Sequence, residues 1–276
     1  MRKRWSPILF LLATALALWA LVQFVSDRDS QNVGIASIDR AALKHIEITR
    51  KQKTTLKFEK RDGRWWITEP LTAPAEEDRM TLIMSIADTP SHTHYSVAQA
   101  DLSRFGLRTP QATLLLGGTR IDFGDTDPIR RQRYTLVGDT LHLLEDVFLH
   151  LLVASESDFL DKKLLPHGEP IRLEIPGIRI TRTRSGKWVS LRTDRRDYTR
   201  LFQAWKNASA SSVTRLEETV PAPADTVRVE FEDAPPLIYV ILPRTAETVL
   251  ARPDLNLAFQ LSDASAQELL PPLEGN

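Results

Sequence analysis

The chain has 276 residues, with 36 Lys+Arg against 36 Asp+Glu, 6 His and no Cys. An apolar share of 42% at zero formal net charge excludes a disordered chain, which has too little apolar surface to bury and an excess of charge. The balance argues against a nucleic-acid partner, which needs surplus cations to displace counterions, and the absence of cysteine removes disulfides, thiolate nucleophiles, zinc fingers and iron–sulfur ligands.

The first element is an uncharged run of 18 residues at 8–25, behind a basic N-terminus (residues 1–7) that carries Arg2, Lys3 and Arg4. A helix of this length rises about 27 Å, the thickness of a bilayer's hydrocarbon core. Eleven of its residues are Leu, Ile, Phe or Val, each worth about −0.3 to −0.6 kcal/mol of insertion free energy. A cleaved signal peptide would end its shorter apolar region at a small-x-small site. The one candidate, Ala15-Leu16-Ala17, is followed by further membrane-compatible residues up to Val25, so an uncleaved anchor is expected. The basic flank, with Asp27 and Asp29 beyond the span, orients the N-terminus to the cytoplasm and the bulk of the chain outside it. That places the protein in the inner (cytoplasmic) membrane, with a periplasmic or other extracytoplasmic body.

After a polar linker at 26–42, the chain repeats itself. One copy, 43–165, opens on Ile46-Glu47-Ile48 and Leu56-Lys57-Phe58 and closes its first strands on Asp62-Gly63-Arg64-Trp65. The other, 166–276, opens on Ile171 to Ile175 and Ile178-Arg179-Ile180 and closes on Ser185-Gly186-Lys187-Trp188. Alternation of period 2 predicts half-buried strands, and the Asp-Gly and Ser-Gly steps supply turns. A helix then follows in each copy, with apolar stripes Met80, Ile83, Met84, Ala87 and Tyr198, Leu201, Phe202, Trp205 at i, i+3, i+4, i+7. Further strands are expected at Leu114–Leu116, Arg120–Phe123 and Tyr134–Val137, and at Val227–Phe231, Leu237–Ile241 and Thr248–Ala251. Short apolar-rich segments, Asp146–Leu152 and Ala264–Leu270, end the copies. The predicted class is α+β: a transmembrane helix followed by two tandem related units, each an antiparallel-rich sheet with a helix on one face.

Several of these residues form a recognisable series. Ile46 to Ile48, Asp62-Gly63-Arg64-Trp65 leading to Glu69-Pro70, the run Asp101 to Pro110 (DLSRFGLRTP), Ile121-Asp122-Phe123-Gly124, Arg133-Tyr134 and Phe159 to Leu165 occur in that order. Together they resemble a family of membrane-anchored bacterial proteins catalogued as domain of unknown function 4340. The resemblance covers 43–165, with Phe105-Gly106-Leu107 and Pro110 its most specific piece, for which the second copy has no counterpart. It implies an envelope location and association with ABC-type transport systems, including those related to gliding-motility auxiliary proteins. It supplies no catalytic residue.

The chain has no Gly-x-Ser-x-Gly elbow, P-loop, dinucleotide fingerprint or His-Glu-x-x-His. His92 and His94 could share one strand face and hold a metal, but no third ligand lies nearby in sequence and a polar loop is the simpler reading. Asp122, Asp125 and Asp127 around Gly124 lack the ligand ladder of a calcium loop and read as a turn. Asn207-Ala208-Ser209 fits a glycosylation sequon, which arises often by chance. Trp65, Trp66 and Trp188 occupy matching places in the copies, which favours packing over a binding platform. No catalytic, cofactor-binding or metal residue is assigned.

One charge feature stands out. Between Arg172 and Lys206 lie 10 basic and 3 acidic residues, whereas after Arg252 there are 4 acids and no base. Arg179, Arg182, Arg184, Lys187, Arg192, Arg195 and Arg196 are therefore a candidate face for an anionic partner, against the reading of an ordinary solvated surface. The expectation is a non-catalytic, single-pass interaction or accessory protein of an inner-membrane complex, of the ABC-transport type that the resemblance implies. An envelope enzyme with a site assembled from distant residues, or a carrier of lipid or small ligands, remains an alternative class.

Overall fold

The computed structural model describes residues 34–97, 101–165, 168–190, 197–217, 220, 224–242 and 247–271. The expected span at 8–25 with its basic flank, and Arg192, Arg195 and Arg196 of the basic stretch, lie outside the described residues. Among the described residues no helix is long and apolar enough to cross a membrane.

The chain first forms β1 (His45–Arg50), β2 (Lys53–Arg61), β3 (Arg64–Glu69) and β4 (Ala73–Pro74). Helix α1 (Glu77–Ser85) follows, then β5 (His94–Ser96), β6 (Ala112–Leu116), β7 (Thr119–Thr126), β8 (Gln132–Val137), β9 (Thr140–Glu145) and the short α2 (Leu149–Leu152). The sequel is β10 (Pro170–Ile175), β11 (Ile178–Arg182), β12 (Trp188–Ser190), α3 (Thr199–Asn207), β13 (Ser212–Arg215), β14 (Thr226–Phe231), β15 (Leu237–Leu242), β16 (Thr248–Arg252), β17 (Leu257–Leu261) and α4 (Asp263–Leu269).

These strands make two antiparallel sheets with few helices, an α+β fold. The first runs β4-β3-β2-β1-β6-β7-β8-β9-β5 and the second β12-β11-β10-β14-β15-β16-β17-β13. With β4 set aside the two orders are the same: a three-strand meander, then a four-strand meander, then a strand that arrives at the far edge by way of a helix. Local chemistry explains the first meander. Asp62 and Gly63 both take positive φ, 49° and 81°, the conformation of a two-residue turn whose twist matches the flanking strands. In β1, Ile46, Ile48 and Arg50 point to the covered face while Glu47 and Thr49 alternate away.

By contact density the chain divides into two compact units, residues up to 57 with 81–153, and residues 58–80 with 154 onward. Taken by itself, the first unit buries Ile46, Ile48, Leu114, Leu116, Ile121 and Phe123, together with Ile83 and Ala87 of the helical stripe and its extension. Taken by itself, the second buries Phe58 against Phe159, ring centroids 5.5 Å apart, with the Arg79 guanidinium 5.0 Å over the Phe159 ring. Trp188 and Trp205 are packed. Trp188 stacks on Phe202 at 3.9 Å and 15°, and Trp205 donates its indole N–H to the Leu269 carbonyl at 2.9 Å. Tyr239 donates to the Leu164 carbonyl at 2.8 Å and meets Phe259 edge-on at 5.6 Å, so Trp205 and Tyr239 each place a polar atom as well as their area.

Candidate functional site

Three stretches of the family resemblance, Asp101–Pro110, Ile121–Gly124 and Arg133-Tyr134, meet in the first unit, on or beside β7, β8 and β9. Residues Leu102–Phe105 form a 3₁₀ turn opened by Asp101, whose carboxylate accepts from the Ser103 N–H at 3.1 Å and from Arg108 at 3.1 Å. These backbone and hydroxyl contacts from Ser103, with Arg108 adding to them, hold the Asp101 carboxyl below its ordinary value. Gly106 closes the turn at φ 66°, and Leu107 N–H returns to the Leu102 carbonyl at 3.0 Å. The turn presses directly onto β7. A Cβ on Gly124 would lie 2.2 Å from the Phe105 carbonyl oxygen, and one on Gly106 would lie 2.4 Å from the Asp125 carboxyl carbon. Both positions therefore require glycine.

The docked turn covers an apolar cluster of Val97, Leu107 and Leu141, flanked by Leu102, Phe105, Tyr134 and Leu136. Phe105 meets Tyr134 edge-to-face at 5.0 Å. Behind them Arg133, 8% exposed, holds a break in the ladder, where pairing between β7 and β8 shifts register between Phe123 and Thr126. Its Nε and Nη2 donate to the two Asp146 oxygens at 2.6 and 2.7 Å, Nη2 donates to Thr126 Oγ1 at 3.0 Å, and Nη1 donates to the Gly124 carbonyl. The Arg133 hydrogen bonds are the main reason the Asp146 carboxyl is held below its ordinary value.

Beside this cluster lies a groove of 550 Å³. Its floor is Phe105, Tyr134, Leu141 and Leu143, and its rims are β5 with Val97 on one side and the Asp127–Arg130 turn on the other. Asp127 accepts from the Ile129 and Arg130 amides at 2.7 and 3.2 Å, bonds that lower its own titration. Tyr95 and Ile129 are 52% and 89% exposed at the rims.

The edge strand beside the groove has a defined polarity. Leu143 N–H donates to Thr93 and Val97 N–H to Asp139, while His94, Tyr95 and Ser96 stand opposite His142, Leu141 and Thr140. In an antiparallel ladder, bonded and non-bonded pairs alternate. Residues 93, 95 and 97 thus bond β9, and the N–H and C=O groups of His94 and Ser96 point to the outer edge. Among the described residues β5 is the last strand of its sheet.

The residues singled out from sequence fall differently. Asp122 bonds Thr113 at 2.5 Å and pairs with Arg120 at 2.8 Å, Asp125 accepts from Gln111 at 3.2 Å, and Asp127 shapes its own turn, so the three carboxylates do not converge. No group of three metal-binding side chains occurs among the described residues. His94 instead meets His142, with ring centroids 6.0 Å apart. In the basic stretch, Arg179 pairs with Glu174 at 2.8 Å and Arg182 with Glu169 at 3.0 Å, while Arg184 and Lys187 sit at the exposed β11–β12 turn. Trp65 and Trp188 are buried. Trp66 lines a 270 Å³ cleft of the second unit with Pro235, Pro236, Phe231 and Leu237. The β5 edge escaped sequence reading because Thr-His-Tyr-Ser-Val is short and polar; its only signal is a Tyr–Val pair at period 2.

No curated protein and no solved structure gives a significant match. A family model described as Domain of unknown function (DUF4340) matches residues 65–225, from β3 through β13. That stretch exceeds half the chain and contains the Phe105-Gly106-Leu107 turn, Gly124 and Arg133, so the chain belongs to this family.

Proposed function

We propose that the protein is a single-pass, membrane-anchored, extracytoplasmic accessory subunit whose β5 edge and adjoining groove receive a segment of a membrane-protein partner. The anchor rests on the uncharged run at 8–25 and its basic flank. The shared strand order supports reading the two sheets as tandem related copies. An ABC-type transport system is the partner class implied by the family resemblance.

The observation carrying this reading is the edge itself. Outward-facing backbone groups at His94 and Ser96 accept an added strand, while the apolar floor and the exposed Tyr95 and Ile129 offer side-chain pockets next to it. Backbone pairing supplies affinity and the pockets supply selectivity. The test is photocrosslinking from position 95 or 129 in the intact membrane-embedded protein, followed by identification of the adduct. A transporter permease or ATPase is expected, with loss of the adduct in Ser96→Pro, which removes one outward N–H and leaves the β9 ladder intact. Absence of a specific adduct, or one indifferent to Ser96→Pro, refutes the proposal.

A further inference from the structure

On the opposite face of β5 and β9 from the groove lies a row of polar groups lacking partners. Cross-strand pairing sets His94 opposite His142, and His142 opposite Thr135. His142 is 8% exposed and Thr135 fully buried, yet His142 Nδ1 and Thr135 Oγ1 make no hydrogen bond. Two unpaired buried polar atoms side by side cost about 1–3 kcal/mol each, a cost that signals a missing contact.

From these observations we propose that His94 and His142 form a two-imidazole site for a borderline divalent transition metal such as Zn²⁺, with water completing the coordination. The pair is of the non-hydrogen-bonded kind, in which facing side chains approach most closely. The geometry is near what a shared ion needs. A Zn–N bond of about 2.0–2.1 Å puts each ring centroid about 3.2 Å from the metal, so two tetrahedral imidazoles stand about 5.2 Å apart. The observed 6.0 Å must close by less than about 1 Å, and His94 is the exposed member of the pair. Burial, with His94 adding to it, keeps His142 below its ordinary titration, so the imidazole is neutral and its lone pair available at neutral pH.

Thr135 completes the argument. A histidine ligand normally donates its second ring N–H to a neighbouring acceptor, which fixes tautomer and orientation. With His142 ligating through Nε2, Nδ1–H is its second ring donor, and in the proposed site its acceptor is the unpaired hydroxyl of Thr135 in the adjoining cross-strand position. The donor set of neutral nitrogens and water suits Zn²⁺, Ni²⁺ or Cu²⁺ and disfavours Mg²⁺ and Ca²⁺.

Calorimetric titration of the full-length protein in detergent with Zn²⁺ alone, and separately with Mg²⁺ alone, tests this. One saturable Zn²⁺ site is expected, weakening as pH falls below about 6.5 where imidazole protonates, with no Mg²⁺ binding. His94→Ala, at an exposed position that leaves the fold intact, should lower affinity at least about tenfold. Thr135→Val should lower it about tenfold while preserving stoichiometry, and His92→Ala should leave it unchanged. No saturable Zn²⁺ binding, or binding unaltered by His94→Ala, overturns the site.

Discussion

Replacing Arg133 by methionine keeps the bulk of a side chain that is 10% exposed and removes the cation holding the β7–β8 irregularity. The bidentate bonds to Asp146 and the bonds to Thr126 and the Gly124 carbonyl vanish together. A hydrogen bond to a charged group contributes about 1.5–3 kcal/mol and an orphaned carbonyl costs about 1 kcal/mol or more. Asp146, at 31% exposure, regains water and offsets part of the loss. The balance is about 3 kcal/mol, read as an approximately 150-fold increase in the opening equilibrium. Native-state hydrogen exchange of β7–β9 peptides in the intact protein reads this locally. Combining Arg133→Met with Asp146→Asn should reveal a coupling of about 1.5 kcal/mol or more. The Asp146 carboxyl titrates below its ordinary 3.8, so the pair's contribution is complete above that value and disappears as pH falls through the lower folded one. Acceleration below about fivefold, or no coupling to Asp146, would refute the view that this guanidinium fastens the bulge.

Three further outcomes follow from particular contacts. Gly124→Ala should lower the melting temperature more than Gly63→Ala, because the first drives a Cβ into the Phe105 carbonyl while the second meets nothing within 4 Å and incurs only about 1–2 kcal/mol of backbone strain. Phe202→Ala removes the partner stacked on Trp188; a loss of about 3–5 kcal/mol, measured by thermal melting with tryptophan fluorescence, is expected. Burial depresses His142 below 6.5, so metal-free stability should hold above that pH and decline as pH falls from it toward the folded value, because the unfolded chain takes up a proton that the folded one refuses. His142→Gln should flatten that decline in a pH series of melting temperatures.

How far the sequence could be read depended on whether a signal was local. The first strands, the two helical stripes and the terminal apolar segments are written in period and turn chemistry, and Met80, Ile83, Phe202 and Trp205 are buried where the stripes placed them. Strands β5 and β13 escaped because three or four edge residues with polar neighbours show no alternation. Strand β9 escaped because His142, Leu143 and Leu144 are all buried, which erases period 2. The pairings that make the site are less legible still. Nothing in the order of residues announces that His94 will face His142 or that Gly106 will sit on Asp125, since both depend on a return of the chain across a whole sheet. Likewise the excess of cations near Arg179 and Arg182 was visible in a count, whereas their pairing with Glu174 and Glu169 across strands required the register.

The strand that closes each sheet at its far edge is made early and fastened late. Tyr95 emerges about 46 positions before its partner Leu141, and closing such a loop costs about 3 kcal/mol more than a two-residue hairpin. During synthesis the β5 segment is therefore made with both of its edges bare and waits for four more strands before one is covered. The segment is open to strand pairing before the sheet can claim it, so under the proposed function a partner already in place competes with β9 for the same backbone groups. Under that proposal, assembly order, and not only affinity, decides which edge of β5 the partner inherits.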